Sequence, residues 1–60
     1  MTNKIEIAEK RYKEMETRRA RFMKRYVETG ETLYKDLANV ETEDMNKLIV
    51  AIMEAKIEEI

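Results

Sequence analysis

Sixty residues with 12 basic and 13 acidic side chains, no Cys and no His leave no disulfide and no thiolate or imidazole metal ligand. They also lack the side chains that most often act as general base or thiol nucleophile. A chain this short buries only about 60% of the surface its unfolded form exposes, so without a covalent or metal staple it is expected to self-associate.

One Gly excludes a glycine-rich phosphate loop, and with no Pro the composition is that of an all-α chain. In chain order, Asn3 followed three residues later by Glu6 reads as a capping box and starts a helix at Lys4. Ile5, Ala8, Tyr12, Met15, Phe22 and Tyr26 then recur at alternating steps of three and four, with Arg19 in the position that completes the series. This is a heptad seam, and a helix that carries it must bury it against another helix. Glu6 and Lys10, Glu9 and Lys13, and Glu14 and Arg18 stand at the favourable spacing of four and mark the solvent face. Gly30 ends the helix as a left-handed cap, giving a span of about 4–29.

A turn at about 30–32 leads into a return arm over about 33–60, long enough to run back along the whole first helix. Thr32 is placed to cap it, with Leu33, Leu37 and Val40 on one face. At Glu41, Thr42, Glu43 and Asp44 this apolar phase breaks. Thr42 reads as a second cap with two acids in the first turn behind it, so a kink or break is expected near 41–43. One uninterrupted return helix is the alternative. Beyond the break, Met45, Leu48, Ile49, Ile52, Met53 and Ile60 form an arc wider than one helix covers, flanked by Val50 and Ile57. One neighbour of that arc should be the first helix and the other a second chain.

The sequence offers little for catalysis. Glu41, Glu43 and Asp44 could hold a hard divalent ion, but acids at a helix start explain them better, and the turn glycine of a calcium loop is missing. Tyr12, Phe22, Tyr26 and Tyr34 read as core rather than as a stacking platform for bases. Met15, Met45 and Met53 likewise read as core filling, with Met23 beside the seam and open to a partner.

The sharpest feature is the basic run of Arg18, Arg19, Arg21, Lys24 and Arg25. The first 27 residues hold 9 basic and 4 acidic side chains, net +5, and the last 33 hold 3 and 9, net −6. Either the basic stripe binds phosphate, or the hairpin neutralises itself. In a hairpin turning at Gly30, facing residue numbers add to about 60–62, which sets Arg18, Arg19 and Arg21 beside Glu41, Glu43 and Asp44. Self-neutralisation is favoured, because a net charge of −1 disfavours binding to a polyanion. Arg19, at a core position, is then expected to pair with Glu41 or Asp44.

The expectation is therefore one domain over 1–60, a helical hairpin that assembles into a coiled-coil-like bundle. Its core or interface is drawn from Ile5, Ala8, Tyr12, Met15, Phe22, Tyr26, Leu33, Leu37, Met45, Leu48, Ile49 and Ile52. The expected function is a non-enzymatic interaction or regulatory module, homo-oligomeric with a dimer favoured, that meets a protein partner. A small nucleic-acid-binding regulator using Arg18, Arg21, Lys24 and Arg25 is the alternative. No cofactor, metal, small-molecule substrate or membrane is implied. The first residues carry no signal-peptide pattern and the longest uncharged apolar run, 48–53, is too short to cross a bilayer, so a soluble cytoplasmic protein is expected.

Overall fold

The computed structural model describes residues 3–58, and these form two helices packed against each other as a hairpin, with no strand among them. Helix α1 spans Lys4–Thr29 and α2 spans Thr32–Glu58. No described helix is long and apolar enough to cross a membrane.

Each end of α1 has an identifiable cause. Asn3 is extended, and its side-chain oxygen accepts the Ile5 N–H at 2.9 Å, while its carbonyl accepts the Ile7 N–H at 3.1 Å. The cap is therefore made by Asn3 toward the second helical residue. The reciprocal bond from Glu6 that a full capping box needs is not formed among the described residues. At the other end Gly30 takes φ 71° and ψ 5°, and its N–H donates to the Tyr26 carbonyl at 2.7 Å. The Thr29 hydroxyl donates to the Arg25 carbonyl at 2.8 Å and accepts the Glu31 N–H at 3.2 Å, tying the turn to the last turn of α1. Glu31 then accepts the Tyr34 N–H at 3.2 Å, so Thr32 is the first residue of α2 rather than its cap.

The return arm is one helix. The expected break near 41–43 is absent, because Thr42 satisfies its hydroxyl within the helix by donating to the Ala38 carbonyl at 3.0 Å. Glu43 and Asp44 are consequently mid-helix residues on the solvent side. The expected extension of the arm to 60, and Ile60 on its apolar arc, lie outside the described residues.

Burial follows two matching stripes. On α1 the buried or half-buried residues are Ile5, Ala8, Tyr12, Met15, Arg19, Phe22 and Tyr26, the heptad series read from the sequence. On α2 they are Tyr34, Ala38, Glu41, Met45, Leu48, Ile52 and Ala55, flanked by Leu37, Thr42 and Ile49. Pairing each α1 seam residue with the α2 seam residue whose number completes 60 gives seven layers, from Ile5 with Ala55 to Tyr26 with Tyr34. Small faces large in three of them: Ala55 with Ile5, Ala8 with Ile52, and Ala38 with Phe22. This alternation lets two helices approach closely. The chain's own return arm thus fills the seam of α1.

The apolar phase of Leu33, Leu37 and Val40 sits one residue to the side of the true seam of Tyr34, Ala38 and Glu41. Leu33 is therefore not core, and 59% of its surface is exposed. The seam follows Tyr34, Ala38 and Glu41 because only that phase continues at steps of four and three into Met45, Leu48, Ile52 and Ala55. Met53 is also outside the core, at 56% exposed. Only Ile5, Ala38, Met45 and Ile52 are buried among the described hydrophobic residues, so the core is one side chain thick.

Two substitutions test this frame. Gly30→Ala meets no atom within 4 Å, so its cost is conformational, about 1–2 kcal/mol by urea unfolding, with a smaller loss for Gly30→Asn. Ala38→Leu, at 2% exposed, should cost about 1–3 kcal/mol by overpacking.

Candidate functional site

The centre of the hairpin holds a polar layer. Arg18 and Arg19 leave α1 on the two sides of the ridge formed by Glu41 and Thr42 on α2. The Arg18 Nε lies 3.2 Å from the Glu41 Oε1, and the Arg19 Nη1 donates to the Thr42 Oγ1 at a long 3.5 Å. Since Thr42 passes its own proton to the Ala38 carbonyl, a continuous hydrogen-bonded path links Arg19 to the α2 backbone. Arg18 is 54% exposed at its side chain while Glu41 is only 14% exposed. The carboxylate, not the guanidinium, is the member of the pair that depends on its partner.

This arrangement corrects the expected ion pair. Arg19 forms no ion pair with Glu41 or Asp44. Glu41 is taken by Arg18, and Asp44 points to solvent with no cation within 4 Å among the described residues. The reason is helical phase: Arg19 is on the seam and crosses it toward Thr42, whereas Asp44 is on the opposite flank.

The pairs expected along α1 at a spacing of four are likewise not formed as ion pairs among the described residues. Both ion pairs run between the helices: Arg18 with Glu41, and Glu9 with Lys56 at 4.0 Å, the latter half-exposed on both sides and of little energetic weight. Arg21, Lys24 and Arg25 are exposed and have no acid within 4 Å among the described residues. Self-neutralisation, expected to set Arg18, Arg19 and Arg21 beside the acids of α2, is made as an ion pair by Arg18 alone among the described residues.

The two flanks of the seam differ. One carries Lys4, Arg11, Arg18 and Arg25 at a single heptad position of α1, and Leu37, Asp44 and Ala51 at the matching position of α2. Lys4 and Ala51 line a common hollow there with Ile5, Ala8, Ile52 and Ala55. Arg21, Leu33 and Val40 lie on the outer edge of this flank, Leu33 and Val40 at 59% and 54% exposed. The other flank carries Glu9, Glu16 and Met23 on α1 and Ile49 and Lys56 on α2, with Met53 beside them. Val27, Val50 and Ile57 are exposed further out. The aromatic residues Tyr12, Phe22, Tyr26 and Tyr34 are all half-buried on the seam.

A shallow hollow of about 480 Å³ on the solvent face of α1 is lined by Lys13, Glu16, Thr17 and Ala20. Glu41, Glu43 and Asp44 diverge around α2, and among the described residues no group of three acids converges on a point where an ion could sit. Sequence reasoning missed Leu33 and Val40 as surface features. Their signal was legible: an apolar stripe one residue out of phase with the series that continues downstream.

The polar layer yields an asymmetric prediction. Arg18→Leu strands a mostly buried carboxylate and should cost about 1–3 kcal/mol. Glu41→Leu leaves only a solvated guanidinium and fills a seam position, so it should be neutral or stabilising, and it should erase the cost of Arg18→Leu in the double variant. Thermal unfolding of the three variants measures this cycle.

A scan against protein-family models finds no match, and neither a search of curated proteins nor one of solved structures finds a similar chain.

Proposed function

We propose that the protein is a non-enzymatic, cytoplasmic interaction module that works as a homo-oligomer and offers its bundle surface to a protein partner. The observation that carries this reading is the mismatch between core and surface. Among the described residues four hydrophobic side chains are buried, while eight large ones, among them Val27 at 79% and Ile57 at 67%, remain exposed on the flanks and outer faces of the hairpin. Exposed apolar stripes rimmed by charge are the signature of a binding surface rather than of a finished monomer. Light scattering at micromolar concentration should give a mass above that of one 7.2 kDa chain, with a Tm that rises with concentration. A monomer mass with a high, concentration-independent Tm would remove the reading.

A second reading has one specific observation in its favour. Arg21, Lys24 and Arg25 are exposed cations with no acidic partner among the described residues. A stripe of this kind suits phosphate, so a nucleic-acid-binding regulator is the rival function. If three phosphates are engaged, the logarithm of the binding constant should fall with the logarithm of salt at a slope of about −2.7 for duplex DNA. Absence of salt-sensitive binding below 100 µM duplex (on the order of ordinary non-specific affinity) would dispose of it.

A further inference from the structure

The hairpin divides its charge between its helices. Lys4–Thr29 holds 9 basic and 5 acidic residues, net +4, and Thr32–Glu58 holds 3 and 6, net −3. Little of this opposition is used inside the chain, where two ion pairs join the helices among the described residues. The shape is long and thin, 46 × 19 × 10 Å, with a radius of gyration of 14.1 Å against about 10 Å for a compact chain of this length. The accessible surface is 5151 Å², against about 4,100 Å² for a compact protein of this mass. The excess, about 1,000 Å², is comparable with the roughly 800 Å² per partner that a standard stable interface removes.

We propose that a second copy of this chain docks on the flank that carries Arg21, Arg25, Leu33, Val40 and Asp44, with α1 of each copy lying against α2 of the other and both turns at the same end. The proposal rests on the self-association reading above. Free charge selects the flank and net charge the arrangement: Arg21, Arg25 and Asp44 here have no opposite charge within 4 Å among the described residues, whereas Glu9 and Lys56 on the other flank already pair with each other. On this flank α1 presents a basic edge, whereas α2 presents exposed Leu33 and Val40 beside Asp44, which has no ion-pair partner among the described residues, and the same stripe continues away from the turn into Lys47 and Glu54. A two-fold axis along the bundle sets the basic helix of one copy on the acidic, apolar helix of the other. The perpendicular axis would set basic on basic. The resulting contact is isologous and closes as a four-helix bundle.

The levels also agree. With facing numbers adding to 60, Arg21 and Asp44 of the other copy stand about 8 Å apart along the axis. Each side chain tilts toward its own helix N-terminus, and in helices of opposite direction that brings the two together. The aliphatic stems of Arg21 and Arg25 then cover Val40 and Leu33, while their charged ends meet Asp44 or reach solvent.

The test is sedimentation equilibrium on the full chain, with circular dichroism to confirm that each variant stays helical. The wild type is expected to be a dimer. Arg21→Glu and Asp44→Arg should each weaken it about tenfold or more, and the two together should restore most of the loss, as close charge pairs across interfaces do. Val40→Glu should also dissociate it. Lys10→Glu, the same charge reversal on the outer face of α1, should leave the dimer unchanged. A wild-type monomer would overturn both this proposal and the self-association reading. A dimer insensitive to Val40→Glu and Arg21→Glu would overturn the proposal and leave self-association standing. Dissociation by Arg21→Glu without rescue by Asp44→Arg would overturn the α1-on-α2 arrangement.

Discussion

One constraint organises this molecule: two heptad stripes of opposite direction must meet along a single seam. Each stripe alternates steps of three and four, and the turn at Gly30 and Glu31 brings them into register as seven layers. Nothing else lies between the helices. With a core one side chain thick, a helix rotated by one residue about its axis would exchange Tyr34, Ala38 and Met45 for Leu33, Leu37 and Asp44. The register of the whole fold therefore depends on which phase the second half of α2 imposes. Met45, Leu48, Ile52 and Ala55 impose it, and the first half follows because a helix is rigid over its length.

The polar layer at Arg19 and Glu41 interrupts that seam near its middle. Two leucines there would pack better, as polar groups at core positions generally reduce stability. What the layer supplies is discrimination. A guanidinium on one strand of the seam and a mostly buried carboxylate with its hydroxyl neighbour on the other match only when the layers are aligned. A slip by one heptad would set Arg19 against Tyr34 or Leu48 and leave Glu41 facing the ring of Tyr12 or Tyr26. The split partnership, with Arg18 serving Glu41 and Arg19 serving Thr42, also lets each cation approach from its own flank without competing for one acceptor.

The remaining charge is an unspent resource on the surface. Opposite net charges on adjacent helices would be expected to produce many cross-helix pairs, yet the geometry of an antiparallel pair brings only the positions next to the seam within reach. Arg21 and Lys24 lie beyond that reach, while Arg25 and Asp44 stand beside the seam with no opposite charge within 4 Å among the described residues. Alternating basic and acidic helices around a bundle would use the same opposition between chains. Phosphate would use only half of it, which is why the acidity of α2 weighs toward a protein surface.

The sequence by itself determined the local structure. Asn3 and Gly30 set the ends of α1 through a side-chain oxygen and a left-handed backbone that few other residues supply, and the seam of α1 was readable because all its positions but Arg19 are apolar. Hairpin topology followed from a single break with equal lengths on either side. The phase of α2 was decided only by tertiary packing. Its first half offers two stripes one residue apart, and counting apolar residues favours Leu33, Leu37 and Val40, whereas the seam runs through Ala38 and Glu41. Local propensity cannot choose between them, since both are equally helical. The choice is made where Met45, Leu48, Ile52 and Ala55 pack on α1, and the first half of α2 follows, with Ala38 opposite Phe22 and Glu41 opposite Arg19. The same packing turned Thr42 from an expected cap into a mid-helix acceptor and gave Glu41 to Arg18 rather than Arg19, because partner choice at the edge of a seam depends on the direction in which each side chain leaves its helix.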